Sequence, residues 1–149
     1  MKDLSRLNLN EGGKRVTREA PTAAVVNSFQ QRYSISLPQH YLELLRHSNG
    51  GHPELNSIAV GTGVKSTRWS INHFYFLDED KDAPESLWRA TEVWRRQLGP
   101  FALPFASDEG DNQYCLDLSV SPSPVKLCIH DERFWTIRIA DSFEEFIDA

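Results

Sequence analysis

The sequence predicts an α+β domain in which helices pack on a mostly antiparallel sheet. Two observations lead to this fold class. Three stretches before residue 100 carry apolar side chains at helical spacing, and the last third of the chain alternates apolar and polar residues as strands do. The chain has 149 residues, which is the size of one domain. At this length it buries roughly 70% of its unfolded surface, so folding needs neither a metal nor a disulfide.

The N-terminal part divides into a polar segment and the start of the domain. Residues 1–20 carry few apolar side chains and are interpreted as an arm or an edge strand that precedes a domain over residues 21–149. Thr22 is a suitable N-cap for a first helix. Apolar residues at spacings of three and four predict that this helix ends near Tyr33.

Two further helices follow. The stretch LPQHYLELLRHSNGG places Pro38 in a first helical turn, where proline is favoured. Gly50 and Gly51 are expected to close this helix by taking the left-handed conformation. The third helix is predicted to open at Pro84 and to end at Leu98, before a Gly-Pro pair. The segment between these helices is rich in aromatic and β-branched residues, which favours strands.

The last third of the chain predicts a hairpin between QYCLDLS and VKLCIH. One register places apolar residues opposite each other on one face. On the other face it sets Cys115 opposite Cys128 and Asp117 opposite Lys126. A third strand, FWTIRIA, continues the pattern, and Ser142 is predicted to cap a short final helix.

Charge and composition narrow the range of functions. The formal net charge is -5, with 21 acidic and 16 basic residues, which argues against nucleic-acid binding and suits a basic protein partner. Two cysteines are too few for a disulfide framework. No signal peptide and no membrane-length apolar run is found in the sequence. We therefore expect a cytoplasmic protein with reduced thiols and no membrane contact.

Two acidic loops are the most prominent polar features. A calcium-binding EF-hand loop needs glycine at position 6 and glutamate at position 12. Counted from Asp78 these positions hold Ala83 and Arg89. Counted from Asp108 they hold Gln113 and Ser119, so neither loop has the required glycine and glutamate. The loops are therefore interpreted as solvated, with a tight turn at Gly110, and as possible contacts for a basic partner. The candidate partner-binding residues are Asp78, Glu79, Asp80, Asp82, Trp88, Asp108, Glu109 and Asp111.

Trp88 is included because it lies off the apolar stripe of its predicted helix. A partly exposed aromatic side chain is a candidate anchor for a partner. The alternative is that this indole covers a neighbouring loop.

No pattern in the sequence indicates a metal, a cofactor or a catalytic centre. The histidines lack metal-ligand spacing, and no phosphate-binding glycine loop is found. The remaining enzymatic alternative is a hydrolase that uses Cys115 or His130, which share one face of the predicted hairpin. We expect a protein without enzymatic activity.

Three motifs, in order, resemble the SMI1/KNR4 superfamily, also called SUKH. LPQHYLELLRHSNGG resembles its LP-x-x-Y…NGG signature, LPFASDEGDNQYCLDLS its second signature, and IADSFEEFIDA its C-terminal helix. The resemblance covers about residues 21–149 and implies an SMI1/KNR4-like single domain. The positions that match the family motifs are Leu37, Pro38, Tyr41, Asn49, Gly50, Gly51, Pro104, Gly110 and Asp117.

The resemblance implies a non-enzymatic binding protein. Many bacterial members of that family are immunity proteins that bind and neutralise toxins, often nucleases, and fungal members are adaptors. The expected function is neutralisation of a cognate toxin by occlusion of its active site. The alternative is a housekeeping adaptor that has no toxin partner. Genome context would distinguish the two, and the sequence leaves the oligomeric state open.

Overall fold

The computed structural model describes residues 18–51, 57–60, 67–108, 110–129 and 135–148. Within these ranges the chain forms four helices and seven strands. The helices are α1 (Ala23–Tyr33), α2 (Gln39–His47), α3 (Leu87–Leu98) and α4 (Phe143–Asp148). The strands are β1 (Ser57–Val60), β2 (Thr67–Ser70), β3 (His73–Phe74), β4 (Ala102–Ser107), β5 (Gln113–Asp117), β6 (Val125–Ile129) and β7 (Trp135–Ala140).

The main sheet has five strands in the order β3-β4-β5-β6-β7, and every neighbouring pair is antiparallel. A separate antiparallel pair is formed by β1 and β2. The predicted α+β class is confirmed. Residues 1–17 lie outside the described part of the chain, so the predicted N-terminal arm stays a prediction.

Helix α1 begins and ends where the sequence predicts. The side-chain oxygen of Thr22 accepts a hydrogen bond from the backbone N–H of Val25 at 3.2 Å, as an N-cap should. Ser34 takes a left-handed conformation with φ of 55° and ends the helix. Phe29 and Tyr33 form the buried face, so the predicted apolar stripe is confirmed at its C-terminal half.

Helix α2 ends differently from the prediction. It closes at His47, where the N–H of Ser48, in an extended conformation, donates to the carbonyl oxygen of Leu44 at 2.8 Å. The expectation that Gly50 and Gly51 close the helix is wrong. Their positive φ values, 88° and 111°, instead turn the following chain against the sheet. Pro38 is the N-cap residue and precedes the first turn rather than lying in it.

Aromatic rings join α2 and α4 to one face of the sheet. The ring of Phe105 on β4 lies 6.1 Å from Tyr41 of α2, 5.3 Å from Phe143 and 5.6 Å from Phe146, measured between centroids. All three contacts are edge-to-face, the arrangement that aromatic quadrupoles favour. Tyr114 on β5 extends this cluster to Phe146 at 5.6 Å.

Helix α4 is held at its N-terminus by reciprocal hydrogen bonds. The hydroxyl oxygen of Ser142 accepts from the N–H of Glu145 at 3.1 Å, and the Glu145 carboxylate accepts from the N–H of Asp141 at 3.0 Å. The predicted cap is confirmed, with the carboxylate bond shifted by one residue from the ideal capping box.

The register of the β5–β6 hairpin differs from the prediction by two residues. The observed pairs are Gln113 with Cys128, Tyr114 with Leu127, Cys115 with Lys126, and Leu116 with Val125. The predicted faces are still correct, because side chains alternate with a period of two and a two-residue shift preserves them. Beyond the paired residues, the N–H of Leu118 donates to the carbonyl oxygen of Phe101 at 2.8 Å, so this residue bonds to the segment just before β4 and does not continue the hairpin.

Candidate protein-binding surface

The loop from Asp78 to Asp82, between β3 and α3, is built by its own carboxylates. One oxygen of Asp78 accepts from the N–H of Asp80 at 2.8 Å. The Asp80 carboxylate in turn accepts from the N–H groups of Asp82 at 3.2 Å and Ala83 at 3.3 Å. Aspartate side chains that bond to the backbone two residues on are typical of tight turns. These bonds fix the direction in which the loop presents its charges.

Arg18 stabilises this loop through ion pairs with its carboxylates. Its guanidinium lies 3.3 Å from the Asp78 carboxylate and 3.5 Å from that of Asp80, and it stacks over the Phe76 ring at 4.1 Å. Two of the four loop carboxylates are therefore paired within the protein. Glu79 and Asp82 are exposed, and no ion pair to either is found within the described residues.

Sequence reasoning did not identify Arg18 as a site residue. It lies 60 residues from Asp78 in the chain, and no local pattern links the two. Its position follows from a backbone bridge, in which the N–H of Arg18 donates to the carbonyl oxygen of Asn49 at 3.1 Å.

Trp88 is a buried residue of α3 that bonds to the backbone of the acidic loop. The side chain is only 6% exposed, so the expectation that it is partly exposed is wrong. Its indole N–H donates to the carbonyl oxygen of Asp78 at 2.9 Å, and its ring lies 5.0 Å from that of Phe29. The ammonium of Lys81 lies over the indole at 4.5 Å. The alternative interpretation, that Trp88 covers a neighbouring loop, is confirmed.

Two surface cavities adjoin the acidic loop, and Glu79 lines both. One, of about 520 Å³, lies between Arg18 and the beginning of α1 at Thr22. The other, of about 360 Å³, lies between Ser28 of α1 and Lys81. Glu79 therefore lies beside two concavities, each of a size that admits a long side chain of a partner.

In the second acidic loop, the carboxylate of Asp108 stabilises the turn by accepting hydrogen bonds. One oxygen of Asp108 accepts from the N–H groups of Gly110 and Asn112, both at 2.9 Å, and the other accepts from the Asn112 amide. The left-handed residue of this turn is Asp111, with φ of 65°. The predicted turn at Gly110 is present, but it does not depend on a left-handed glycine. Glu109 lies outside the described residues.

The sheet topology places the two acidic loops at opposite ends. His73 pairs with Ser107, so the loop that follows Ser107 lies at the beginning of β3. The chain runs away from that end and reaches Asp78 five residues later, roughly 15 Å along the strand direction. The candidate residues that the structure describes therefore form two groups, one at each of these loops.

The first family-type motif joins α1, α2 and the sheet. Leu37 is buried, and its N–H donates to the side-chain oxygen of Gln30 in α1 at 2.8 Å. Tyr41 is 1% exposed and packs on Phe105. Burial raises the pKa of the Tyr41 phenol, so the hydroxyl stays neutral. These residues are structural, as the resemblance implied.

The NGG segment fastens the end of α2 to the chain beyond β3. The amide of Asn49 bonds to both the N–H and the carbonyl of Leu77, at 2.8 and 2.7 Å. The carbonyl oxygen of Gly51 accepts from the N–H of Phe74 at 2.9 Å. At Gly50 a Cβ atom would lie 2.8 Å from the Cβ of Phe76, closer than side chains approach. The asparagine and the glycines therefore set the position of the acidic loop.

The second motif places Pro104 and Asp117 within the sheet. Pro104 is buried opposite Cys115 at a β-bulge in β4. The Asp117 carboxylate lies 3.0 Å from the ammonium of Lys126, so the predicted ion pair is confirmed despite the shifted register. Burial alone would raise the pKa of Asp117, but hydrogen bonds from Ser119 and Lys126 outweigh it and lower the pKa below its usual range.

The described residues hold no group of three or more His, Cys, Asp or Glu side chains that could bind a metal ion. His130 lies outside those residues, so the structure does not test its pairing with Cys115. Among the described helices, none is long and apolar enough to span a membrane.

The described features define a small α+β domain whose sheet is joined to its helices by an Asn-Gly-Gly segment. Its acidic loop from Asp78 to Asp82 is held in one conformation by Arg18 and Trp88. The profile of the SMI1 / KNR4 family (SUKH-1) matches residues 20–149. The chain therefore belongs to this family, whose members are generally non-catalytic. Comparison with curated proteins finds no match.

Proposed function

We propose that the protein is an immunity protein that binds a cognate toxin and neutralises it by covering its active site. Its membership of the SUKH-1 family, over residues 20–149, is the observation that carries this proposal. Such a protein performs no reaction on its partner. It needs a stable surface of the right shape and charge, present in the cytoplasm before the toxin arrives.

The loop from Asp78 to Asp82 is the surface that we propose for the contact. Bonds to Arg18 and Trp88 fix its conformation before a partner binds. A loop that is already ordered loses little conformational entropy on association, and this raises affinity without further contacts. Glu79 and Asp82 then supply exposed negative charge at a defined position.

The charge of the loop suits a toxin with a basic active-site groove, such as a nuclease. The chain carries a net charge of -5, which favours encounter with a basic surface and increases the association rate. A lysine or arginine of the toxin would enter one of the cavities beside Glu79 and pair with its carboxylate. The substrate of the toxin would then be excluded by the bound domain.

The test is binding and inhibition with a toxin domain encoded beside this gene. The purified protein is mixed with that domain, and complex formation and toxin activity are measured together. We expect a stable complex and loss of toxin activity at equimolar ratio. A complex that leaves the toxin active would contradict occlusion. Absence of any complex, together with recovery of a cellular protein in its place, would favour the adaptor function.

A further inference from the structure

The sulfur atoms of Cys115 and Cys128 meet on the sheet face opposite the aromatic cluster. They lie 3.7 Å apart, although their residues occupy diagonal rather than opposed positions of the β5–β6 ladder. Both side chains are buried, at 3% and 4% exposure. Both line one cavity of about 240 Å³, whose wall includes Leu98, Phe101 and Lys126.

This cavity gives small solutes a route to the thiols. Its volume is several times the roughly 30 Å³ that one water molecule occupies in the liquid. Hydrogen peroxide and small organic hydroperoxides fit within such a volume, whereas a macromolecule could not enter. The two thiols are therefore shielded from other proteins and open to small oxidants.

The two thiols have different acidities. Burial, and then the hydrogen bond to Cys128, raises the pKa of Cys115 well above its ordinary value. The hydrogen bond shared with Cys115 lowers the pKa of Cys128, and burial opposes this shift. The Lys126 ammonium lowers the pKa further, so the net shift is downward. A thiolate stabilised by a neighbouring thiol and a cation is the more reactive nucleophile of such a pair.

We propose that Cys115 and Cys128 form a site of reversible oxidation by hydroperoxides, in which Cys128 is the reacting thiolate and Cys115 the resolving thiol. The inference rests on the 3.7 Å sulfur separation within a small cavity beside Lys126. It is independent of the proposed toxin partner.

The reaction has two balanced steps. The Cys128 thiolate attacks one oxygen of the hydroperoxide, the O–O bond breaks, and a sulfenic acid forms while the other oxygen leaves as water or an alcohol after protonation. The Cys115 sulfur then attacks the Cys128 sulfur, its proton passes to the departing hydroxide, and water leaves. Two thiols are oxidised to one disulfide, and one hydroperoxide is reduced.

The diagonal positions predict that the bond is easily reversed. Diagonal residues of a ladder lie roughly 7–8 Å apart, slightly beyond the usual span of a disulfide, so the two strands must shift slightly to form it. A cross-link that strains its strands is reduced more readily than a relaxed structural disulfide. We therefore expect ordinary dithiol reductants to restore both thiols.

The experiment treats the folded, full-length protein with stoichiometric hydrogen peroxide and follows it by intact mass and peptide mapping. We expect a mass loss of about 2 Da, from two hydrogen atoms, a peptide linking Cys115 to Cys128, and full reversal by dithiothreitol. Thiols that stay reduced under conditions that oxidise a free low-pKa thiol would overturn the proposal, and so would cross-links only between molecules. This measurement needs no variant, so it stands even if substitutions impair folding.

Variants then assign the two roles. In Cys115→Ser the sulfenic acid at Cys128 should persist and be trapped by dimedone. In Cys128→Ser the remaining thiol should react at least tenfold more slowly. Equal rates in the two variants would overturn the assignment of Cys128 as the reacting thiolate.

Lys126→Gln tests the electrostatic contribution of the Lys126 ammonium to the reactivity of Cys128. Arg138→Gln is the matched control, because it removes a cation at the position directly opposite Lys126 in the β6–β7 ladder. We expect the rate of Cys128 oxidation to fall severalfold in Lys126→Gln and to stay unchanged in Arg138→Gln. An equal effect of both substitutions would show that Lys126 has no particular influence on the thiolate.

Discussion

The side-chain amide of Asn49 bonds to the backbone of Leu77 as a neighbouring strand would. The N–H of Leu77 donates to the Asn49 side-chain oxygen at 2.8 Å, and the Asn49 amide nitrogen donates to the Leu77 carbonyl at 2.7 Å. The same nitrogen also donates to the carbonyl of Glu19 at 2.8 Å. One buried side chain thus connects the segment before α1, the end of α2 and the chain that enters the acidic loop.

Replacement of Asn49 by alanine should lower the free energy of unfolding by about 3 kcal/mol, because buried backbone groups then lose their partners. Urea denaturation measures the change. Asn27→Ala, on the exposed side of α1, is the matched control and should leave stability unchanged or slightly higher, since alanine favours helix. Equal effects of the two substitutions would contradict a structural role for the Asn49 amide.

Gly50→Ala should destabilise the protein more than Gly99→Ala. Both glycines have positive φ, 88° and 96°, so both substitutions strain the backbone. Only at Gly50 would the added Cβ also lie 2.8 Å from Phe76, whereas nothing lies within 4 Å of it at Gly99. We expect the overpacking to add about 1–3 kcal/mol to the loss, measured by urea denaturation. Equal losses at the two positions would mean that the contact with Phe76 is readily relieved.

The Asp117–Lys126 pair should contribute stability that depends on pH. The pKa of Asp117 is lower in the folded protein than in the unfolded chain, so its contribution is complete above the unfolded pKa of about 4. It is lost as the pH falls through the lowered folded pKa. The unfolding free energies of the wild type and Asp117→Asn should differ by no more than about 1 kcal/mol at pH 7, because water screens the pair. A difference that stays constant down to pH 2 would contradict this assignment.

Removal of the exposed negative charges from the loop between Asp78 and Asp82 should weaken partner binding. Glu79→Gln together with Asp82→Asn should reduce affinity about tenfold, or about 1.4 kcal/mol, mainly through a slower association rate that depends on salt. Asp111→Asn is the control, since it removes a carboxylate at the other end of the sheet and asparagine tolerates the left-handed conformation. Stopped-flow or surface-based kinetics would measure both rates. An equal or larger effect of Asp111→Asn would place the contact at the second loop.

Patterns of short range could be predicted from the sequence. The cap at Thr22 and the face of Cys115 follow from neighbouring residues, and the structure bears both out. The hairpin register could not be predicted, because alternation determines the face and leaves even shifts undetermined. The observed register is accompanied by a hydrogen bond from Leu118 to Phe101, which lies just before β4 and is distant from the hairpin in the sequence.

Features of the site that depend on distant residues were beyond the sequence. Trp88 lies off the predicted stripe of its helix, yet it belongs to the buried face of α3 and packs against Phe29 of α1. The pairing of Arg18 with Asp78 joins residues 60 apart, and it decides which loop charges are available to a partner. The sequence therefore indicated an acidic loop, but not the contacts with Arg18 and Trp88 that stabilise it, and not its separation from the second loop.

The most direct test of the proposed function is the survival of cells that express the toxin domain encoded beside this gene. Growth is compared with and without co-expression of this protein, with Asn49→Ala as a variant of reduced stability. The account predicts that the wild type restores growth, that Asn49→Ala protects less, and that a non-cognate toxin still kills. Death of cells that contain abundant, folded wild-type protein would contradict the immunity function.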